Sequence, residues 1–374
     1  MCGPPVGRHA IKLIMRLDDV IGVLTNLLTR LMRMKRLFLF AIPAVASLLY
    51  YVFFAQHDAN VTASSSQAQD GALLLGANIG HEPLLPLPPA LPLPPEQVNL
   101  GNRLFHDPRL SHDNSISCAS CHDLSKGGAD RSRFSVGING TVGGVNAPTV
   151  FNSGLNVAQF WDGRAKSLEE QAGGPVHNPA EMGSSWEEVI GKLSADKEYQ
   201  ASFQRVYPDG INAANIAKAI ATFERSLVTP DSKFDRYLRG EKNVLSDDEL
   251  KGYRRFVDYG CVSCHQGAGI GGNMFQRFGV MADFFKGHPF TKADQGRFNV
   301  TGLEEDRHVF KVPSLRNVAV TSPYFHDGSA KTLSDAVSVM GKYQLGKALS
   351  DEDVRLLVAF LHTLSGEWQG RVLQ

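Results

Sequence analysis

Cys118-Ala-Ser-Cys121-His122 and Cys261-Val-Ser-Cys264-His265 each place two thiols and an imidazole within five residues. Thiols at this spacing can add to the two vinyl groups of a haem, and the adjacent histidine supplies a nitrogen to the iron. The chain has five cysteines, and four fall in these units. Neither flank offers a second Cys pair for a zinc site, and Cys2 is left as a free thiol. The units lie 143 residues apart (261 minus 118), which predicts two haem domains in tandem with a boundary near 235 to 245. Little else repeats between the halves.

What lies opposite each proximal histidine decides whether a haem carries electrons or performs chemistry. An electron-transfer haem has both axial positions filled, commonly by His and Met. Downstream of His265 the sequence offers Met274, Met281 and Met340, with His326 a further candidate. Met340 follows a helix start at Thr332 to Asp335 and precedes Gly341, so spacing favours it modestly. The first unit differs. Between His122 and Pro175 there is no His and no Met; Asn139 is only a weak ligand, and His177 and Met182 come next. An iron with a proximal histidine and no strong distal ligand is open to small molecules, a peroxidase-like design.

The elements that must position these groups read as mainly α-helical. Ser184 and Ser185, each with a Glu three residues on, open a helix through Leu193; Ser246 with Glu249 opens another, stopped by Gly260; Ser350 with Asp353 caps a last one. Ile216, Ile220, Phe223 and Leu227 recur at helical spacing. Alternating strand patterns are nearly absent. The chain of 374 residues, with 38 Lys+Arg against 38 Asp+Glu, is long enough for two cores and has no charge excess that would suit nucleic acid.

Leu37 to Ala55 carries no charge over 19 residues, the length of a membrane-crossing helix. The basic residues before it place positions 1–36 in the cytoplasm and the rest outside, as covalent haem attachment also requires. The competing reading is a signal peptide cleaved after Ala44-Val45-Ala46, and the basic run at 32–36 would itself make an ordinary start. Residues 56–94 read as a flexible, then proline-rich linker. The folded part is expected from Pro95, as a haem domain over 95–240 and a second over 241–374.

The run NAPTVFNSGLNVAQFWDGRAKSLEEQAGGPVHNPAEM, the two CxxCH units and SPYFHDGSAKTLSDAVSVM together resemble the bacterial di-haem cytochrome c peroxidases, over about residues 95 to 365. The resemblance implies two cytochrome-c-like helical domains, two covalent haem c and one calcium ion between the domains. It implies that His122 holds the peroxide-reacting haem, with Glu181 as distal acid/base and Gln171 as its pocket partner. Trp161 would bridge electrons between the haems, and His265 and Met340 would hold the electron-accepting one. Asn146, Thr321 and Pro323 match calcium-binding positions.

One departure stands out. Most members carry a histidine in the loop after the first CxxCH; it ligates the resting peroxidatic iron and is expelled when the other haem is reduced. Sixteen residues after His122, this chain has Ile138. Isoleucine cannot bind iron, so the site is expected to be open without reductive activation.

The leading expectation is a periplasmic peroxidase anchored to the inner membrane. It would reduce hydrogen peroxide with electrons from a small c-type cytochrome or cupredoxin. The family often dimerises, which makes a homodimer one expectation. The alternatives are a peroxide-dependent oxidase of a partner protein and a non-enzymatic di-haem carrier. The related di-haem protein that matures a tryptophylquinone cofactor has a tyrosine where Met340 stands here, which argues against the first. Glu181 and Gln171 argue against the second.

Overall fold

The computed structural model describes residues 82–374 apart from 89–91 and 288, all within one compact unit, Ala77–Gln374. The anchor expected over residues 37–55 and the segment before it lie outside the described residues. Among the described residues, no helix is long and apolar enough to cross a membrane.

Helices carry the fold. Those longer than a single turn are, in chain order, α1 (Pro95–Phe105), α2 (Leu168–His177), α3 (Trp186–Ser194), α4 (Lys197–Val206), α5 (Ala213–Ser226), α6 (Lys233–Leu238), α7 (Asp247–Asp258), α8 (Leu333–Val339) and α9 (Asp351–His362). The expected caps form: the Ser185 side chain accepts from the Glu188 N–H, Ser246 and Glu249 make a reciprocal box, and Ser350 accepts from the Asp353 N–H. Two antiparallel pairs, β1 (Phe275–Arg277) with β2 (Val309–Lys311) and β3 (Glu367–Trp368) with β4 (Arg371–Val372), pin loops.

Each half repeats one packing device that the sequence comparison of the halves does not reveal. The helix preceding each CxxCH crosses the half's long closing helix at a glycine. A Cβ on Gly101 of α1 would fall inside the Ala219 carbonyl of α5, and one on Gly252 of α7 inside the Leu356 carbonyl of α9. Only glycine lets the backbones meet this closely. Around these crossings lie two cores, one with Leu104, Tyr199, Phe203 and Ile216, the other with Phe234, Tyr253, Phe256 and Phe360.

The chain crosses the expected cut at residue 240 in both directions. Phe234 and Leu238 of α6 pack in the second core. Leu373 returns to the first half, beside Phe151 and Phe223, and Trp368 sets its ring edge-on to Phe151 at 5.5 Å.

The proline-rich segment is also more than a linker, because packed structure begins before Pro95. Leu84 is fully buried in the second core, the Leu87 N–H donates to Asp235 Oδ1 at 2.8 Å, and the Leu85 carbonyl accepts from Arg316 at 3.0 Å. Arg316 and Asp235 form an ion pair at 2.9 Å with both side chains wholly buried. Such a pair needs every remaining donor satisfied; here the Ala268 carbonyl and Ser232 Oγ take two of them. The strap therefore docks where its own backbone completes a buried polar network.

Candidate active site

The first site is built on a single helical turn. Ser117 and Ser120 box the start of Cys118–Cys121, and the His122 N–H returns to the Cys118 carbonyl at 2.9 Å. Gly127 and Gly128, both at positive φ, then wrap the chain back so that the Gly128 carbonyl lies 3.3 Å from His122 Nδ1. That carbonyl favours the proton on Nδ1 and leaves the Nε2 lone pair for a metal. Burial keeps His122 below the usual histidine range, so the ring is neutral, as a ligand must be. Cys118 and Cys121 form no disulfide, and burial raises both thiols above the ordinary range.

Glu181 sits in a tight turn that ends α2. Its N–H and that of Gly183 both donate to the Asn178 carbonyl at 2.9 Å, and Met182 N–H donates to the Pro175 carbonyl at 3.1 Å. The Asn178 side-chain amide donates to Glu181 Oε1 at 2.7 Å, fixing the carboxylate. Sequence reasoning missed Asn178, although it stands in the same NPAEM run. The negative charge of Glu181 reaches Cys118, Cys121 and His122, adding to the burial that raises the thiols and opposing the burial that lowers the histidine. Glu181 is thus gathered with the first CxxCH. Gln171 is half-buried on α2, one turn before Pro175, and its amide has no hydrogen-bond partner among the described residues.

Ile138 is buried, 6% exposed, and its loop is clamped to the same turn. The Ile138 N–H donates to the Glu181 carbonyl at 2.9 Å. A Cβ on Gly137 would strike the Ala180 carbonyl, and one on Gly183 would strike Ile138 Cδ1. The Ile138 side-chain tip could shift aside, but Gly183 has a φ of 57°, a backbone conformation that favours glycine. Asn139, His177 and Met182 occupy other roles: Asn139 makes a left-handed turn, His177 packs edge-on to Trp186, and Met182 is core.

The second site is a deep, largely apolar cavity that brings together Cys261, Cys264, His265, Trp161 and Met340. His265 Nδ1 is buried without a hydrogen-bond partner, and burial pushes the ring pKa down to about 4 against the raising effect of the Ile270 and Pro313 carbonyls. The ring is neutral at any physiological pH. Met340 opens a π-helical turn, Met340–Gln344, directly after α8. Such turns re-aim a side chain that a regular helix would carry past the site. Met274 and Met281 do not line the cavity; Met281 is 62% exposed. His326 does line it, but its Nε2 is engaged by Asp294 Oδ1 at 2.8 Å and its ring stacks on Phe310 at 4.5 Å.

Both donor sets suit a covalently held haem: paired thiols, a neutral imidazole and, at the second site, a thioether in an apolar enclosure. Trp161 donates its indole N–H to the Asn146 carbonyl at 2.9 Å. From Asn146 the chain runs three residues to Thr149, whose hydroxyl donates to the Gly127 carbonyl at 2.6 Å, beside the Gly128 carbonyl that faces His122. A short bonded path thus joins the second cavity to the first proximal histidine. Asn146, Thr321 and Pro323 share one cavity wall, and Asn146 spends its amide N–H on the Ser132 carbonyl at 2.9 Å. Among the described residues, no group of three His, Cys, Asp or Glu could hold a metal ion, so a cation here would rest on amide and carbonyl oxygens.

A family model for di-haem cytochrome c peroxidase matches residues 95–243, and one for cytochrome c matches residues 250–365. Cytochrome c peroxidase Ccp of Escherichia coli strain K12 is 53% identical over 287 residues, covering 76% of this chain and 62% of that protein, so this chain spans about three fifths of that relative's length. Cytochrome c551 peroxidase of Nitrosomonas europaea is 47% identical over 300 residues, 79% of this chain and 89% of that protein. Among solved structures, a MauG-like protein associated with microbial copper homeostasis superimposes with a TM-score of 0.68 at 29% identity, covering 78% of this chain and 96% of that one.

Proposed function

The chain belongs to the di-haem cytochrome c peroxidase family, and from that premise we propose that it reduces hydrogen peroxide to water in the periplasm, using two electrons delivered singly by a small c-type cytochrome or cupredoxin. When bound, two haems held by Cys118, Cys121 and His122 and by Cys261, Cys264, His265 and Met340 would supply the one-electron redox chemistry that peroxide reduction needs.

The chain's own residues supply the rest. His122, with its proton held on Nδ1 by the Gly128 carbonyl, and His265 give the proximal nitrogens; Met340 gives the thioether of the second site. Glu181 takes a proton from peroxide at its carboxylate and returns it to the departing oxygen, a transfer worth about 10²–10⁴-fold in rate. Asn178 keeps that carboxylate in place, and Gln171, on the helix that leads into the Glu181 turn, would serve as its pocket partner. Trp161 occupies the bonded path between the sites. Ile138 keeps a ligating side chain out of the loop beside Glu181, so the site is ready without prior reduction. Asn146 Oδ1 and the carbonyls of Thr321 and Pro323 offer a calcium site, whose hard cation prefers such oxygens.

The observation that carries this reading is Glu181, oriented by Asn178 and gathered with Cys118, Cys121 and His122. Glu181→Gln is expected to lower peroxide turnover by at least about 100-fold with both haems still attached; unchanged turnover would defeat the acid/base role. Oxidation of a partner protein is the weaker reading, because Met340 lines the cavity of His265 and suits an ordinary electron-receiving haem.

A further inference from the structure

Lys311 ends β2 and is only 8% exposed, yet it has no acidic partner and no side-chain hydrogen bond among the described residues. Lysine is almost never buried unpaired, because an ammonium out of water costs several kcal/mol unless an anion meets it. Burial alone pushes its pKa down to about 8. Its side chain lines the cavity of His265 and Met340, and its backbone N–H donates to the Trp161 carbonyl at 2.9 Å, which anchors it beside the tryptophan. Val312, Leu315, Leu333 and Leu357 form an apolar stretch of the same lining, while Arg277, Gln276 and Asn146 also border the cavity. Of the two cations on the lining, Lys311 is the buried one and Arg277 is exposed.

We propose that Lys311 is a cofactor-positioning residue whose ammonium pairs with a propionate carboxylate of the second haem, turning the carboxylate edge of that haem toward Trp161 and raising its reduction potential. The inference rests on the di-haem reading above. The group that attaches to Cys261 and Cys264 carries two carboxylates on one edge, and the apolar wall rejects them. Pairing satisfies both buried charges at once. It also removes negative charge beside the iron, which favours the ferrous state less than a bare cation would but more than an uncompensated carboxylate does.

The test uses the full holoprotein with Lys311→Met and Lys311→Arg. Haem content is measured by haemochrome assay, and each haem is followed by spectroelectrochemical titration. In Lys311→Met, the ferrous-to-ferric ratio of the Met340-ligated haem at the wild-type midpoint is expected to fall about tenfold, a negative shift of about 59 mV for a one-electron couple. The His122 haem should not move, and Lys311→Arg should keep the wild-type value. Lys311→Gln gives the same reading if Met impairs folding. An unmoved midpoint in Lys311→Met with both haems attached, or an equal fall in Lys311→Arg, overturns the inference. A wild-type protein that carries fewer than two haems by haemochrome assay would overturn the di-haem reading itself.

Discussion

The backbone N–H of Ile138 donates to the carbonyl of Glu181 at 2.9 Å. One hydrogen bond thus ties the loop that could present an iron ligand to the turn that carries Glu181, the proposed acid/base. Gly137 and Gly183 let the two segments touch, and the Ile138 side chain fills the space that a Gly183 side chain would need. The loop is held with its apolar side chain buried against Gly183, in the turn that carries Glu181, so the proposed readiness of the site and the proposed placement of its acid would share one structural origin.

Ile138→His should restore a loop ligand. The resting enzyme is then expected to show a lag in peroxide turnover that prior reduction of the second haem removes, while wild type shows none. Stopped-flow assays with and without pre-reduction would read this. Identical progress curves for the two proteins would count against the role of position 138.

Asn178→Ala removes the donor 2.7 Å from Glu181 Oε1. A hydrogen bond to a charged group contributes about 1.5–3 kcal/mol, so kcat is expected to fall by roughly 10- to 100-fold, with little change in haem content. A purely structural role would instead lower the melting temperature and leave kcat of the folded fraction intact.

Glu224 on α5 is 6% exposed, its Oε2 has no partner, and burial pushes its pKa from 4.5 up to about 8. Between those values the folded protein holds a proton that the unfolded chain has released. Stability must therefore decline as pH rises from 4.5 to 8, by at most about 1.4 kcal/mol per unit from this group. Glu224→Gln, neutral at every pH, should flatten that decline in denaturant melts. Parallel pH profiles for the two proteins would show that Glu224 is not the cause.

Local signals in the sequence translate directly into structure. Ser185, Ser246 and Ser350 each cap the helix their spacing predicts, because a cap depends on residues within one turn. The CxxCH units and the NPAEM run are legible for the same reason. Contacts between distant segments are not. Nothing near Leu84 announces that Asp235 and Arg316 await its backbone. Gly101 and Gly252 look like ordinary helix-weakening glycines until their partners 118 and 104 residues away (219 minus 101, 356 minus 252) are known. Lys311 reads as a surface lysine in a short polar-apolar run, and only the fold turns it inward.

The most direct measurement is an electron paramagnetic resonance spectrum of the fully ferric holoprotein before any reductant is added. A high-spin signal from the His122 haem beside a low-spin signal from the Met340 haem is expected, since Ile138 offers the first iron no ligand. Two low-spin signals would contradict the account: another side chain would hold that iron, and the enzyme would need activation.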